Sequence, residues 1–343
     1  MKAPGFWYRP PQRPGWQARL LAPLGAVYAA ATRARLRKPG WVPAVPVICL
    51  GNLNAGGTGK TPTVIALAGM LAAQGRAVHV VSRGHGGSLP RKGAAPVRVD
   101  ERRHSADEVG DEPLLIAAFA PVWVARDRAA AVRAAQQDGA GIVLLDDGFQ
   151  DPAVVHSAAL LVVDAAVGFG NERCIPAGPL REPVARGLAR AQAVLAIGDP
   201  AAQAGFRARW ADFGTAPPLF TASLEPLPTG MGWRGLRVLA FAGIGRPQKF
   251  FDTLAAQGAE LVGQVALDDH QPIPPALFAR LEAQAKALSA QLVTTEKDAV
   301  RLPRALRPRV LTLPVRLQID APDALLARLG LGASAGGAAE AKR

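Results

Sequence analysis

The feature that most constrains this chain is a glycine-rich turn set directly behind an apolar run. Val45 to Leu50 reads as a buried strand. It leads into Gly51-Asn52-Leu53-Asn54-Ala55-Gly56-Gly57-Thr58-Gly59-Lys60-Thr61-Pro62, and the helical stretch Val64 to Ala73 follows. Gly56, Gly57 and Gly59 allow backbone N–H groups to turn inward, and the helix start adds its positive dipole end. Together they form a cradle for phosphate oxygens.

The turn resembles the Walker A loop GxxxxGK[ST], with Asn54 where the first glycine belongs. Asn54, Ala55, Gly56, Gly57, Thr58, Gly59, Lys60 and Thr61 are therefore the candidate nucleotide contacts. Lys60 is expected to reach the β- and γ-phosphates and Thr61 to ligate Mg²⁺. Such a loop also needs a carboxylate at the end of another strand. Gly141-Ile142-Val143-Leu144-Leu145-Asp146-Asp147 supplies an apolar strand ending in two acids, so Asp146 or Asp147 is the candidate metal-binding acid. ATP and Mg²⁺ are the cofactors that these two segments call for.

From Pro46 onward, short β-branched runs alternate with alanine-rich helical stretches, the pattern of an α/β protein with a largely parallel sheet. Strands are expected at Val45 to Leu50, Ala77 to Ser82, Val122 to Ala125, Ile142 to Asp146, Leu160 to Asp164 and Val194 to Ile197. After the Pro-rich stretch Ala216 to Pro228 a second series covers Val238 to Ala242, Glu260 to Ala266, Gln291 to Thr294 and Val310 to Val315. The expected organisation is a basic leader (1–41), a P-loop α/β/α domain (42–230), a smaller α/β/α domain (231–330) and a disordered tail (331–343).

The net charge is +13, from 40 Lys and Arg against 27 Asp and Glu, and 49% of residues are hydrophobic. That apolar content excludes a wholly disordered basic protein and leaves nucleic acid, an anionic membrane or an acidic ligand as partners. Position helps to choose. Residues 1–41 contain Lys2, Arg9, Arg13, Arg19, Arg33, Arg35, Arg37 and Lys38 and no acid. The uncharged run Leu20 to Thr32 falls short of the roughly 20 residues that cross a bilayer. At helical spacing Leu20, Leu24, Val27, Tyr28 and Ala31 share a face, with Phe6, Trp7, Tyr8, Trp16 and Trp41 as interfacial aromatics. Two readings stand: a helix lying on the membrane surface, or a helix packed on the protein's own core. No nucleic-acid motif accompanies the charge, so nucleic acid is not expected as a partner. The run carries no cleavage signal, and Cys49 and Cys174 lie far apart, as reduced thiols in a cytoplasmic protein would.

The N-K-x-D guanine-reading motif of switch GTPases is missing, since the nearest segment is Thr295-Glu296-Lys297-Asp298. A kinase needs a group to take the proton of the acceptor hydroxyl. Gly110-Asp111-Glu112-Pro113 and Asp268-Asp269-His270-Gln271-Pro272 supply Asp111 and His270 as candidates.

These segments, with Ser82-Arg83-Gly84, Asp146-Asp147-Gly148-Phe149-Gln150, Pro176-Ala177-Gly178-Pro179-Leu180-Arg181-Glu182, Phe241-Ala242-Gly243-Ile244-Gly245 and Thr294-Thr295-Glu296-Lys297-Asp298, follow a family order. From about Trp16 to Leu317 the chain resembles the tetraacyldisaccharide 4′-kinases, the lipid A 4′-kinases of Gram-negative bacteria. The resemblance implies transfer of the ATP γ-phosphate to the 4′-hydroxyl of a tetraacyl glucosamine disaccharide 1-phosphate, giving lipid IVA. It also implies two α/β/α domains, and an amino-terminal helix that places the enzyme on the cytoplasmic face of the inner membrane as a peripheral or monotopic protein. No obligate protein partner is expected.

By the same resemblance, Asp111 matches the base for the sugar hydroxyl, His270 its catalytic partner and Lys60 the phosphate contact. Thr61, Asp146 and Asp147 match the metal-binding positions. Gln150, Arg181 and Glu182 match polar positions facing nucleotide or substrate, and Glu112, next to Asp111, is a further candidate substrate contact. Three positions depart from the family pattern: Asp151 and Gln271 stand where histidine is usual, and His85 where tyrosine is. The alternative reading is a P-loop ATPase that drives a partner protein or nucleic acid.

Overall fold

The structure, a computed structural model, describes residues 3–210, 213–214 and 216–332. The tail from Ala333 on, expected to be disordered, lies outside the described residues. In chain order a 3-10 turn (Gly5–Tyr8) precedes helices α1 (Trp16–Leu20) and α2 (Ala22–Leu36), strand β1 (Val47–Gly51), helix α3 (Lys60–Ala73) and strands β2 (Val78–Ser82) and β3 (Val97–Arg98). Then come α4 (Ala106–Val109), α5 (Asp111–Ile116), β4 (Val122–Val124), α6 (Arg128–Gln137), β5 (Ile142–Asp146), β6 (Ala158–Asp164), α7 (Val184–Leu188), β7 (Ala193–Ile197) and α8 (Pro200–Trp210). The remainder is β8 (Leu219–Pro226), β9 (Arg237–Ala242), α9 (Pro247–Ala256), β10 (Glu260–Ala266), α10 (Pro275–Ala287), β11 (Gln291–Thr295), α11 (Glu296–Ala299), β12 (Leu311–Leu313), β13 (Val315–Ile319) and α12 (Pro322–Arg328).

Two compact units emerge, and neither is one continuous stretch. The first takes the chain up to Arg83, Asp127–Ser223 and the part from Leu317, and the second takes Gly84–Arg126 and Leu224–Arg316. The single cut expected near residue 230 misses this: residues 84–126, read as part of the P-loop domain, belong with the second unit. Only short elements, β3, α4, α5 and β4, lie between Gly84 and Arg126, too short for a periodic pattern to show which core they join.

In the first unit a parallel sheet runs β8-β7-β6-β1-β5-β2. Every residue of β1, β2, β5 and β7 is buried, which is why these strands read as mainly apolar runs, broken in β2 by His79, and not as alternating ones. Each Val, Leu or Ile so buried stabilises the fold by about 1.5–3 kcal/mol. The Pro-rich stretch Ala216 to Pro228, to which the sequence assigns no strand, holds β8. Its interior Leu219 to Glu225 is free of proline, and the prolines flank it or close it. From its carboxyl end β1 leads toward β2, whereas its neighbour β6 leads toward β7 on the other side. The glycine-rich turn thus sits at a switch point of the sheet, where α/β proteins bind ligands.

The second unit contains a parallel sheet β10-β9-β11-β12 and an antiparallel pair β3–β4. Val238, Ala240 and Ala242 of β9 pack with Phe250, Phe251 and Leu254 of α9, while Leu239 and Phe241 pack with Phe278, Leu281 and Ala285 of α10. Helices on both faces of a parallel sheet make the expected smaller α/β/α layer structure. The expected strand Val310 to Val315 is two strands, β12 and β13, because Pro314 interrupts the ladder.

Helix α2 lies on the first unit through Gly25 and Thr32, its buried residues. Leu20, Leu24 and Val27 stay exposed, as does Trp16. Core packing therefore accounts for one side of α2 and leaves the apolar stripe uncovered in the chain's own fold. Among the described residues no helix is long and apolar enough to cross a membrane.

Candidate active site

In the first unit the phosphate loop joins β1 to α3, and Gly59 is the residue before the helix. Its φ is +95°, and a Cβ there would lie 2.6 Å from the Ile197 side chain, so glycine alone fits without strain. Asn52, fully buried, donates to the carbonyl of Gly56 at 3.1 Å and fixes the curl of the loop. Thr63 Oγ1 donates to the carbonyl of Gly59 at 2.8 Å. Two of the expected nucleotide contacts are used otherwise. The Ala55 N–H donates to the carbonyl of Pro179 at 2.7 Å, and the Asn54 side chain donates to the carbonyl of Gly168 at 3.0 Å. Both tether the loop. Gly56, Gly57, Thr58, Gly59, Lys60 and Thr61 remain as the cradle; the Thr58 hydroxyl is buried and has no protein partner.

Register places Asp146, the last residue of β5, beside Leu50 of β1, one residue before the loop. Asp146 is buried and accepts from Ser82 Oγ at 3.1 Å. The neighbouring Asp147 turns its backbone to φ +52°. Its carboxylate lies 3.6 Å from Lys60 Nζ and accepts from Arg181 Nη1 at 2.9 and 3.1 Å. Burial pushes this carboxyl up, but Lys60 and Arg181 outweigh it and hold the group at about 2. Gln150 donates to the carbonyl of Asn52 and to Glu182 Oε1, both at 3.0 Å. Arg190 donates to Glu182 Oε1 at 2.6 Å and covers the Phe149 ring at 4.1 Å. Arg128, also buried, donates to the carbonyl of Asp147 at 2.8 Å and to Asp151 Oδ2 at 2.5 Å.

The donor set suits Mg²⁺. A Thr61 hydroxyl and an Asp146 carboxylate are hard oxygen ligands of the kind that bind this ion together with nucleotide phosphates and waters. Asp147 carries its charge between two cations, Lys60 and Arg181.

In the second unit Asp111 is the first residue of α5 and only 7% exposed. Its Oδ2 lies 2.9 Å from His270 Nδ1, 3.0 Å from Arg301 Nε and 4.0 Å from Lys297 Nζ. Burial pushes the carboxyl up. The His270 hydrogen bond, with Lys297, His270 and Arg301 as charges, more than reverses this and holds it far below the usual carboxylate range. An ionised carboxylate only accepts, so the shared hydrogen belongs to His270 Nδ1. Lys297 Nζ lies 3.2 Å from Glu112 Oε1 and 3.3 Å from His270 Nε2. Arg301 Nη1 also donates to the carbonyl of Gly243 and to Asp298 Oδ1, both at 2.9 Å.

In the first unit Lys60 lies beside Asp147, and Thr61 follows Lys60 in α3, with Arg181, Gln150 and Glu182 linked to Asp147 and to one another. Asp111, Glu112 and His270 come together in the second. Arg128, Arg190 and Arg301 were missed, and Lys297 was read only as part of a motif. Isolated arginines carry no spacing signal, and these are identified by what they touch. Asp151 and Gln271, two of the departures from the family pattern, are both engaged: Asp151 pairs with Arg128, and Gln271 Oε1 accepts from the Asp268 N–H at 3.0 Å. His85 is exposed.

Comparison with known proteins identifies the family. The profile of the family described as Tetraacyldisaccharide-1-P 4'-kinase matches residues 17–330. The chain is 63% identical over 330 residues to the Tetraacyldisaccharide 4'-kinase of Dinoroseobacter shibae, covering 96% of this chain and 97% of that protein. It is 53% identical over 331 residues to the protein of the same name from Rhodospirillum centenum, covering 95% of each. A crystal structure of LpxK from Aquifex aeolicus in complex with ATP matches with a TM-score of 0.71 at 25% identity, over 91% of this chain and 98% of that one. The chain belongs to the tetraacyldisaccharide-1-P 4'-kinase family.

Proposed function

We propose that this kinase transfers the γ-phosphate of ATP to the 4′-hydroxyl of a tetraacyl glucosamine disaccharide 1-phosphate, forming lipid IVA in lipid A biosynthesis. The observation that carries the reading is the Asp111–His270 contact, an ionised acid orienting an imidazole, in a chain that also holds a phosphate loop. Phosphoryl transfer asks for positioning and charge stabilisation more than covalent help. Lys60 binds the β- and γ-phosphates, and the N–H groups from Gly56 to Thr61 surround their oxygens. Arg181 is placed by Asp147 to add a second cation. Thr61 and Asp146 would hold a Mg²⁺ ion bound with ATP, which would supply neutralisation of charge on the phosphates, and Asp147 supports Lys60. The Asp111–His270 pair receives the proton of the 4′-hydroxyl, with the Asp111 carboxylate orienting the His270 ring through the hydrogen on Nδ1. Glu112 and Lys297, joined at 3.2 Å beside this pair, are polar groups for holding the sugar.

The exposed stripe Trp16, Leu20, Leu24 and Val27, flanked by Arg19, Arg33, Arg35 and Arg37, supports docking on an anionic membrane surface. A lipid substrate favours that site of action, the cytoplasmic face of the inner membrane. The deciding experiment incubates the purified chain with ATP, Mg²⁺ and the disaccharide lipid and follows the 4′-phosphorylated product. ATP hydrolysis stimulated by DNA, without that product, overturns the reading. Unchanged lipid-dependent turnover in Asp111→Ala removes Asp111 from it.

A further inference from the structure

The amino-terminal segment grips one surface loop of the first unit from two sides. On one side, the carbonyl of Trp7 accepts from the Asn171 N–H at 2.8 Å, the carbonyl of Phe6 accepts from Asn171 Nδ2 at 3.2 Å, and Trp7 Nε1 donates to the carbonyl of Pro176 at 3.1 Å. On the other, α2 presents Gly25, where a Cβ would lie 2.8 Å from the carbonyl oxygen of Cys174 and 3.4 Å from Ala177 Cβ. Asn171 is 1% exposed and fully used, with Nδ2 also donating to the carbonyl of Ala177 at 2.9 Å and Oδ1 accepting from the Arg173 N–H at 3.2 Å.

The far end of the same loop is bonded to the phosphate loop. The Ala55 N–H donates to the carbonyl of Pro179 at 2.7 Å, and the Arg181 N–H donates to the carbonyl of Leu53 at 2.7 Å. Inside the loop, the Ile175 N–H donates to the carbonyl of Leu180 at 2.9 Å and the Leu180 N–H to the carbonyl of Arg173 at 3.0 Å. Hydrogen bonds of the backbone and of the Asn171 and Trp7 side chains therefore link residues 6–7, through 171–181, to residues 53–55 and to Arg181, whose guanidinium holds Asp147. A close-packed, hydrogen-bonded chain of this kind transmits displacement.

We propose that the amino-terminal segment is a positioning element of the phosphate loop, acting through Trp7, Gly25 and Asn171, and that it raises ATP affinity in the absence of any membrane. The inference rests on the reading of the glycine-rich loop as the ATP site. It gives the segment a second task, separate from lipid docking.

The test measures binding of a non-hydrolysable ATP analogue with Mg²⁺ to the full chain in lipid-free solution. Gly25→Ala is the informative variant, because alanine favours a helix over glycine, so loss of affinity cannot come from a weakened α2. Its added methyl must push on the Cys174 carbonyl. The expected result is several-fold weaker binding in Gly25→Ala and about tenfold in Gly25→Leu and Asn171→Ala, since small misplacements at such sites are costly. Ala26→Leu, on the exposed side of the same helix, is expected to leave affinity unchanged. Unchanged affinity in Gly25→Leu, with thermal unfolding like that of the wild type, overturns the proposal. If Asn171→Ala fails to fold, the two Gly25 variants decide. Absence of analogue binding to the wild type overturns the ATP-site reading itself, a distinct result.

Discussion

Nδ1 of His270 lies 2.9 Å from Oδ2 of Asp111, across 159 residues of sequence. The same oxygen takes the Nε–H of Arg301 at 3.0 Å. With Lys297 Nζ at 4.0 Å, three positive or hydrogen-bonding groups converge on one buried carboxylate, and they keep it ionised where burial alone would neutralise it.

Because its pKa is depressed, Asp111 does not titrate near neutrality. Asp111→Asn is expected to lower kcat by about 10²–10⁴-fold while every limb of the pH–rate profile between about pH 5 and 9 survives. The stability difference between wild type and Asp111→Asn should be constant above the unfolded carboxylate pKa of about 3.9. It should shrink as the pH falls below that value toward the folded one. Urea denaturation across a pH series measures it, and a difference that instead vanished near pH 7 would contradict the assignment.

Lys60, the proposed phosphate contact, also neutralises Asp147. Lys60→Met is expected to reduce turnover by more than about 10³-fold. With Lys60 gone, burial opposes the Asp147 charge more effectively, and its pKa rises from about 2 toward the ordinary value. The stability that the ionised form contributes is then lost at a higher pH on acidification. Acid-unfolding midpoints of the two proteins test this, and equal midpoints would dissociate Lys60 from Asp147.

Arg301 sits between two buried acids, Asp111 and Asp298, with 6% of its side chain exposed. Arg301→Met leaves both without their shared cation and should cost about 3–5 kcal/mol by chemical denaturation. Arg301→Lys restores the charge but cannot reach both acids and the Gly243 carbonyl with the same fork, so an intermediate loss is expected.

The exposed stripe of α2 gives a prediction about membranes. The double variant Leu24→Glu, Val27→Glu is expected to reduce association with anionic vesicles by about tenfold or more, because charges replace apolar groups each worth about 1.5–3 kcal/mol when buried. Association of the wild type should weaken with added salt. Sedimentation with vesicles of anionic and of neutral lipid reads both effects. Unchanged association in the double variant, or in the chain lacking residues 1–37, would remove the segment as the anchor.

Much of this was legible in one dimension. The strands of the first unit announced themselves because parallel strands covered on both faces are apolar throughout, and Ile142–Asp146 and Glu260–Ala266 have the expected bounds. The phosphate loop was legible because its chemistry is local: glycine freedom, a lysine and a helix start lie within ten residues. Strand β8 was hidden by the prolines around it, and β3 by its two-residue length.

What the sequence by itself determined was the set of elements and the chemistry available to them, since hydrophobic period, turn residues and caps act over a few positions. Only the tertiary structure decided which distant groups meet. That residues 84–126 join the second unit, that Arg301 reaches Asp111 across 190 residues, and that the Ala55 N–H meets the Pro179 carbonyl, follow from packing many side chains at once. Closing such long loops costs entropy that no local pattern records, and only the assembled core and its buried hydrogen bonds repay it.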